Sequence, residues 1–126
     1  MKTLQIVTAV IEAGAGLALS GFPSVTASLL LGMPLDSPAA LTLARIGGAA
    51  ILTLAIVCWH NAHSLASRDL SVALLFYNIA VAAVLTLASL VDGLHGVLLW
   101  PAVAFHLATA AWCIASLLRK DAAALR

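Results

Sequence analysis

The chain has 126 residues, 63% of them hydrophobic and 9% charged, with a formal net charge of +1. Ordinary soluble domains are about 45–50% apolar and about 25% charged, and a domain this small needs polar side chains to cover its surface. With a mean hydropathy of +1.13, the composition argues against a soluble globular protein, a disordered chain and a nucleic-acid binder, and for a single lipid-embedded domain spanning residues 1–126.

Four apolar stretches follow one another: Leu4–Leu19, Ala39–Trp59, Leu70–Leu90 and Gly96–Leu118. A helix rises 1.5 Å per residue, so about 20 residues cross a hydrocarbon core of about 30 Å. The first stretch is short and carries Glu12; the other three clear that length. None alternates with the period of two that barrel strands require, so four transmembrane helices are expected. A signal peptide is the rival reading of the first stretch, with Lys2 before it and Ala18-Leu19-Ser20 at its end. Glu12 in the middle of the apolar run argues against cleavage.

Between the first two stretches, Pro23, Gly32, Pro34 and Pro38 punctuate a long connection in which Val25–Leu31 is apolar enough for a short interfacial helix. The Asn61–Asp69 connection is short and polar, and the one around Asp92-Gly93 is a tight turn. Short links make neighbouring helices antiparallel. The expected fold is therefore all-α: an integral membrane antiparallel four-helix bundle with a short interfacial helix in the first external loop. Lys2, Arg68, Arg119, Lys120 and Arg126 all fall at the termini or in the second connection, and the other two connections contain no Lys or Arg. The positive-inside rule then places both termini in the cytoplasm. Small residues (Gly14, Gly16 and Ser20 in the first span; Ala44, Gly47 and Gly48 in the second) would let those two backbones approach closely.

Each span carries one polar residue that a bilayer tolerates poorly: Glu12, Arg45, Asn78 and His106. By helical rise, Glu12 lies about 12 Å and Arg45 about 9 Å along their spans, and all four fall within a turn or two of the midplane. Lone charges there are costly, so an ion pair between Glu12 and Arg45, on sequential spans at compatible depth, is expected. Thr42 and Ala49 flank Arg45; Ser71, Ala82, Thr86 and Ser89 fall near the Asn78 face; Thr109 and Cys113 follow His106 on one face. Tyr77 adds a hydroxyl beside Asn78. Glu12, Arg45, Tyr77, Asn78 and His106 are thus the candidate ligand-binding residues. Two roles remain open for them: holding the helices in register, or forming a ligand or proton site.

Other motifs point to less. His60 and His63 are spaced H-x-x-H at the end of the second span, but Cys58 and His60 lie about 200° apart around the helix and no carboxylate follows in a metal-binding spacing, so they indicate an interface beside the Trp59 anchor rather than a metal site. Bis-histidine haem ligation would need a second histidine at the depth of His106, and His60 and His95 lie near opposite surfaces. Cys58 and Cys113 lack a C-x-x-C motif, and small apolar packing is their expected role. Trp100-Pro101 reads as an interface anchor followed by a first-turn proline. No nucleophile–base set or phosphate loop is present.

The ordered segments Leu29-Leu30-Leu31-Gly32, Ala44-Arg45-Ile46-Gly47-Gly48-Ala49, Phe76-Tyr77-Asn78 and Leu99-Trp100-Pro101 with His106 resemble small bacterial four-helix membrane proteins of the DoxX-like type, over nearly the whole chain. Some members of that group are linked to membrane redox complexes, including a quinone-reducing thiosulfate oxidoreductase. The resemblance implies a bacterial inner-membrane location and a bundle that acts with partners; it carries over no catalytic residue. Three functions follow as expectations. One is an accessory or structural subunit of a larger membrane assembly, such as a redox complex, with other subunits or a second copy as partner. Another is a binding protein or enzyme for an amphiphile such as a quinone. The last is a proton or small-solute path. The sequence names no cofactor.

Overall fold

The computed structural model describes residues 2–63 and 68–124. Five helices occupy most of them: α1 Lys2–Gly21, α2 Pro23–Leu31, α3 Pro38–Ala62, α4 Arg68–Leu90 and α5 Leu99–Ala124. Helices α1, α3, α4 and the Leu99–Arg119 part of α5 are each long and apolar enough to cross a membrane. The all-helical fold and the four long spans match the reading from hydrophobic runs. Residues 64–67 of the second connection and Arg126, which entered the orientation argument, lie outside the described residues.

Local signals set the helix ends. Pro23 opens α2, two residues ahead of the expected start, because a first-turn position loses nothing from a missing N–H. Gly32 closes α2 with φ 82°, its N–H donating to the Ser28 carbonyl at 3.0 Å, a left-handed cap that glycine adopts without strain. Ser37 caps α3 by accepting from the Ala40 N–H at 3.1 Å, just before Pro38. The fourth span starts at Leu99 rather than Gly96, and the reason is packing. The Leu98 N–H donates to the Leu29 carbonyl at 2.9 Å, and a Cβ on Gly96 would run into the Leu29 and Leu30 backbone. The residues before α5 are therefore committed to docking on α2.

Two core clusters show that the spans alternate in direction. At one end, Leu4 and Ala9 of α1 meet Cys58 of α3, Leu74 of α4 and Cys113 of α5; this is the near end, where α1 begins. At the far end, Leu30 and Leu31 of α2 pack with Leu85 of α4 and with Leu99 and Val103 of α5. The closest helix pairs are α1 with α3 and α4 with α5, whereas α1 touches α5 only slightly. The α1–α3 crossing is a backbone contact. A Cβ on Gly16 would sit 2.8 Å from the Gly48 carbonyl oxygen and 2.9 Å from the Leu52 nitrogen; one on Gly48 would sit 2.8 Å from the Gly16 oxygen and 2.8 Å from the Ser20 nitrogen, and would also meet Ser20 Oγ. Of the small residues singled out in sequence, Gly16, Ser20 and Gly48 make this contact. Gly14 has nothing within 4 Å of its Cβ position, and Gly47 meets only Leu19 at 3.7 Å. The outward surface is apolar, with Leu17, Leu43, Ile56, Phe76 and Val84 all exposed, as lipid contact requires.

Candidate functional site

α1, α4 and α5 bring four of the five candidate residues together. α1 buries one stripe, Leu4, Gln5, Thr8, Ala9, Glu12 and Gly16, at the three-to-four spacing of a helix face. That stripe carries Glu12 into the bundle, where it is 3% exposed. The Tyr77 hydroxyl of α4 donates to Glu12 Oε2 at 3.0 Å. The Tyr77 ring stands edge-on to the His106 ring of α5, centroids 5.7 Å apart and planes at 78°. His106 Nδ1 lies 2.8 Å from Asn78 Oδ1, and Asn78 Nδ2 donates to the Leu74 carbonyl at 2.8 Å. Because the Asn78 amide spends its N–H on Leu74, its oxygen faces His106, and His106 donates from Nδ1. In a neutral ring that leaves Nε2 as an acceptor. The result is two hydrogen-bonded pairs, Glu12–Tyr77 and His106–Asn78, brought together by the edge-on Tyr77–His106 ring contact into one polar chain from α1 to α5.

Arg45 does not belong to it, which corrects the expected ion pair. Arg45 is exposed, and Glu12 takes its hydrogen bond from Tyr77 instead. The buried stripe of α3 is Gly48, Ala55, Cys58 and Ala62, set by the close approach at Gly48, and this rotation leaves Arg45 to one side. Its flanking residues Thr42 and Ala49 are likewise exposed, and Thr42 Oγ1 donates to its own helix at the Pro38 carbonyl. A double-mutant cycle tests the correction. Glu12→Gln and Arg45→Leu should be additive in thermal stability to within about 0.5 kcal/mol, and Arg45→Leu alone should leave stability unchanged or raised.

Of the faces inferred around Asn78 and His106, Ser71, Ala82 and Ser89 of α4 and Thr109 and Cys113 of α5 are buried with them, whereas Thr86 is half-buried and donates to its own helix at the Ala82 carbonyl, 2.7 Å away. Two residues escaped attention. Gln5 and Thr8 share the buried face with Glu12, each 1% exposed, and the Gln5 Nε2 and Oε1 and the Thr8 Oγ1 have no hydrogen-bond partner. Their spacing to Glu12, three and then four residues, was the available signal. Cys58 and Cys113 are fully buried free thiols in one core cluster. His63 is exposed, with Nδ1 2.8 Å from the Trp59 carbonyl, which suits an interfacial helix end. His95 Nδ1 lies 3.2 Å from Ser89 Oγ at the far end, away from His106.

A cavity of about 440 Å³ adjoins the polar chain. Ile11, Gly14, Ala15 and Ala18 of α1 form one wall, Pro101, Ala102 and Phe105 of α5 the other, with Thr26, Leu29 and Leu30 of α2 also lining it; Glu12 and His106 contribute its carboxyl and imidazole groups. The cavity occupies the sparsely packed seam between α1 and α5. Its size lies in the range of small-molecule sites, and an apolar lining with a few convergent polar groups is their usual make-up. Such a site can hold a greasy body against α1, α2 and α5 while a polar head meets the Glu12 carboxyl and His106.

Comparison of the chain with protein-family models, with curated proteins and with solved structures gives no match.

Proposed function

We propose that the chain is a small membrane protein that binds an amphiphile with a hydroxyl-bearing head group, the reduced (quinol) form of a quinone-like molecule being the type that fits. The observation that carries this reading is the cavity between α1, α2 and α5 with Glu12 and His106 in its lining. A head-group hydroxyl donates to the Glu12 carboxylate or to His106 Nε2, and the aliphatic tail lies along Leu29, Leu30 and Phe105. Tyr77 and Asn78 act behind these contacts, the first fixing Glu12 and the second fixing the His106 ring. The test is calorimetric titration of the detergent-solubilised protein with a short-chain benzoquinol kept reduced, whose hydroxyls can donate to both acceptors. Saturable binding is expected, weakened at least about tenfold by His106→Asn. That substitution keeps a donor towards Asn78 but removes Nε2. Arg45→Leu should bind as the native chain does. Absence of saturable binding, or unchanged binding by His106→Asn, would overturn the reading.

A second reading, an accessory subunit of a larger inner-membrane assembly, is favoured by α3. It is the least covered of the four spans and holds Arg45 on its exposed side. A charge facing hydrocarbon is costly, and a neighbouring subunit would relieve that cost. The likeness to DoxX-like proteins supports a bacterial inner-membrane location in both readings, and the distribution of basic residues supports cytoplasmic termini. A cysteine placed in a C-terminal tag should accordingly react with an impermeant thiol reagent only after the membrane is opened.

A further inference from the structure

α1 has buried side-chain polar atoms without a hydrogen-bond partner on both sides of Glu12: Ser20 Oγ at the α2 end, in the close α1–α3 crossing, and Gln5 and Thr8 towards the near end. Gln5 and Thr8 are buried with three side-chain polar atoms unpartnered, and every such group away from water costs free energy that a closely packed apolar residue would avoid. They precede Glu12 on the same face, and by helical rise Gln5 lies about 10 Å from it towards the near end. Other helices add buried polar groups over the same length. α5 carries His106, Thr109 and Ser116, and α4 carries Asn78 and Ser71. At the far end the core is Leu30, Leu31, Val81, Leu85, Leu99 and Val103. Buried polar side chains from α1, α4 and α5 thus run from Glu12 towards the near end, alongside the apolar cluster of Leu4, Ala9, Cys58, Leu74 and Cys113.

We propose that Gln5 and Thr8 hold water molecules that relay protons between the near end of the bundle and the Glu12 carboxyl. Water in such sites makes two to four hydrogen bonds. The Thr8 hydroxyl both donates and accepts, and the Gln5 amide orients water through its N–H and its oxygen. A proton entering at the near end forms an O–H bond on the first water as that water releases a proton to the next. The last transfer forms an O–H bond on Glu12, with no other covalent change. The groups facing Glu12 are the Tyr77 hydroxyl from α4 and His106 from α5 across the shared cavity. Among the described residues, no ion pair holds Glu12 in one charge state. This relay extends the amphiphile-binding reading, since a head group bound at Glu12 would exchange its proton with the near side. It requires no bound amphiphile to be observed, so the two ideas fail separately.

Infrared difference spectroscopy of the protein in phosphatidylcholine vesicles tests it. After a step from about pH 9 to about pH 5, the carboxylic C=O band that vanishes in Glu12→Gln is followed in time. Its rise should slow at least about fivefold in the Gln5→Leu/Thr8→Val double variant; any smaller slowing overturns the proposal. If the double variant does not fold, Thr8→Val against Thr8→Ser decides. The serine, which keeps the hydroxyl, should match the native rate, and equal rates in the two variants overturn the relay. A Glu12 band that never responds to pH overturns it as well.

Discussion

Gly16→Ala and Gly48→Ala are each expected to destabilise the protein by about 1–3 kcal/mol, and Gly14→Ala to stabilise it by up to about 1 kcal/mol. Alanine is the better helix former at all three positions, so the opposite signs isolate the contribution of packing. At Gly16 and Gly48 the added Cβ would lie 2.8 Å from a carbonyl oxygen of the facing helix. Backbone cannot move aside as a flexible side chain can, so α1 and α3 must separate along their whole crossing. At Gly14 there is open space. Thermal unfolding in detergent, followed by circular dichroism, provides the comparison. A melting temperature for Gly48→Ala at or above that of the native chain would mean that the crossing is not held this closely.

Asn78→Leu should cost about 1–3 kcal/mol, for a different reason. Asn78 is fully buried and accepts from His106 while donating to Leu74. Leucine leaves the His106 Nδ1–H without an acceptor in a bundle core that contains little else to meet it. His106→Leu introduced alongside should recover part of the loss, because removing both partners leaves no stranded donor. The same unfolding measurement applies, and a double variant no more stable than Asn78→Leu alone would contradict the account. The coupling should be modest, since hydrogen bonds between membrane helices average about 0.6–2 kcal/mol.

Span number, the short helix after the first span and the polar faces of α4 and α5 were legible in the sequence, because each rests on run length or on three-to-four spacing within one helix. Rotation of α3 was not. Depth and sequence adjacency placed Arg45 beside Glu12, yet the helix is apolar or small on nearly every side, so no periodicity says which side turns inward. The answer came from Gly48, one of two adjacent glycines that the sequence could not rank. Tyr77 shows the same limit in reverse. Its place beside Asn78 in sequence gave its hydroxyl no partner, because adjacent residues point about 100° apart on a helix; it reaches Glu12 on α1 while Asn78 reaches His106 on α5. Gln5 and Thr8 were overlooked because uncharged polar residues near a helix start read as ordinary interface. Only their burial without partners sets them apart.

The pairing of α1 with α3, ahead of α4 and α5, bears on how the chain is made. The glycine crossing can close as soon as the first two spans have entered the bilayer, because both of its surfaces are already present. The polar stripe of α1 is not satisfied at that stage. Tyr77, the partner of Glu12, belongs to the half still to come. An N-terminal half stalled in the membrane therefore presents Gln5, Thr8 and Glu12 to lipid, and a half-made molecule is chemically distinct from a finished one. Any membrane protease or insertase that senses polar groups in hydrocarbon can sort the two, so the residues that equip the finished bundle also mark the incomplete one for retention or removal.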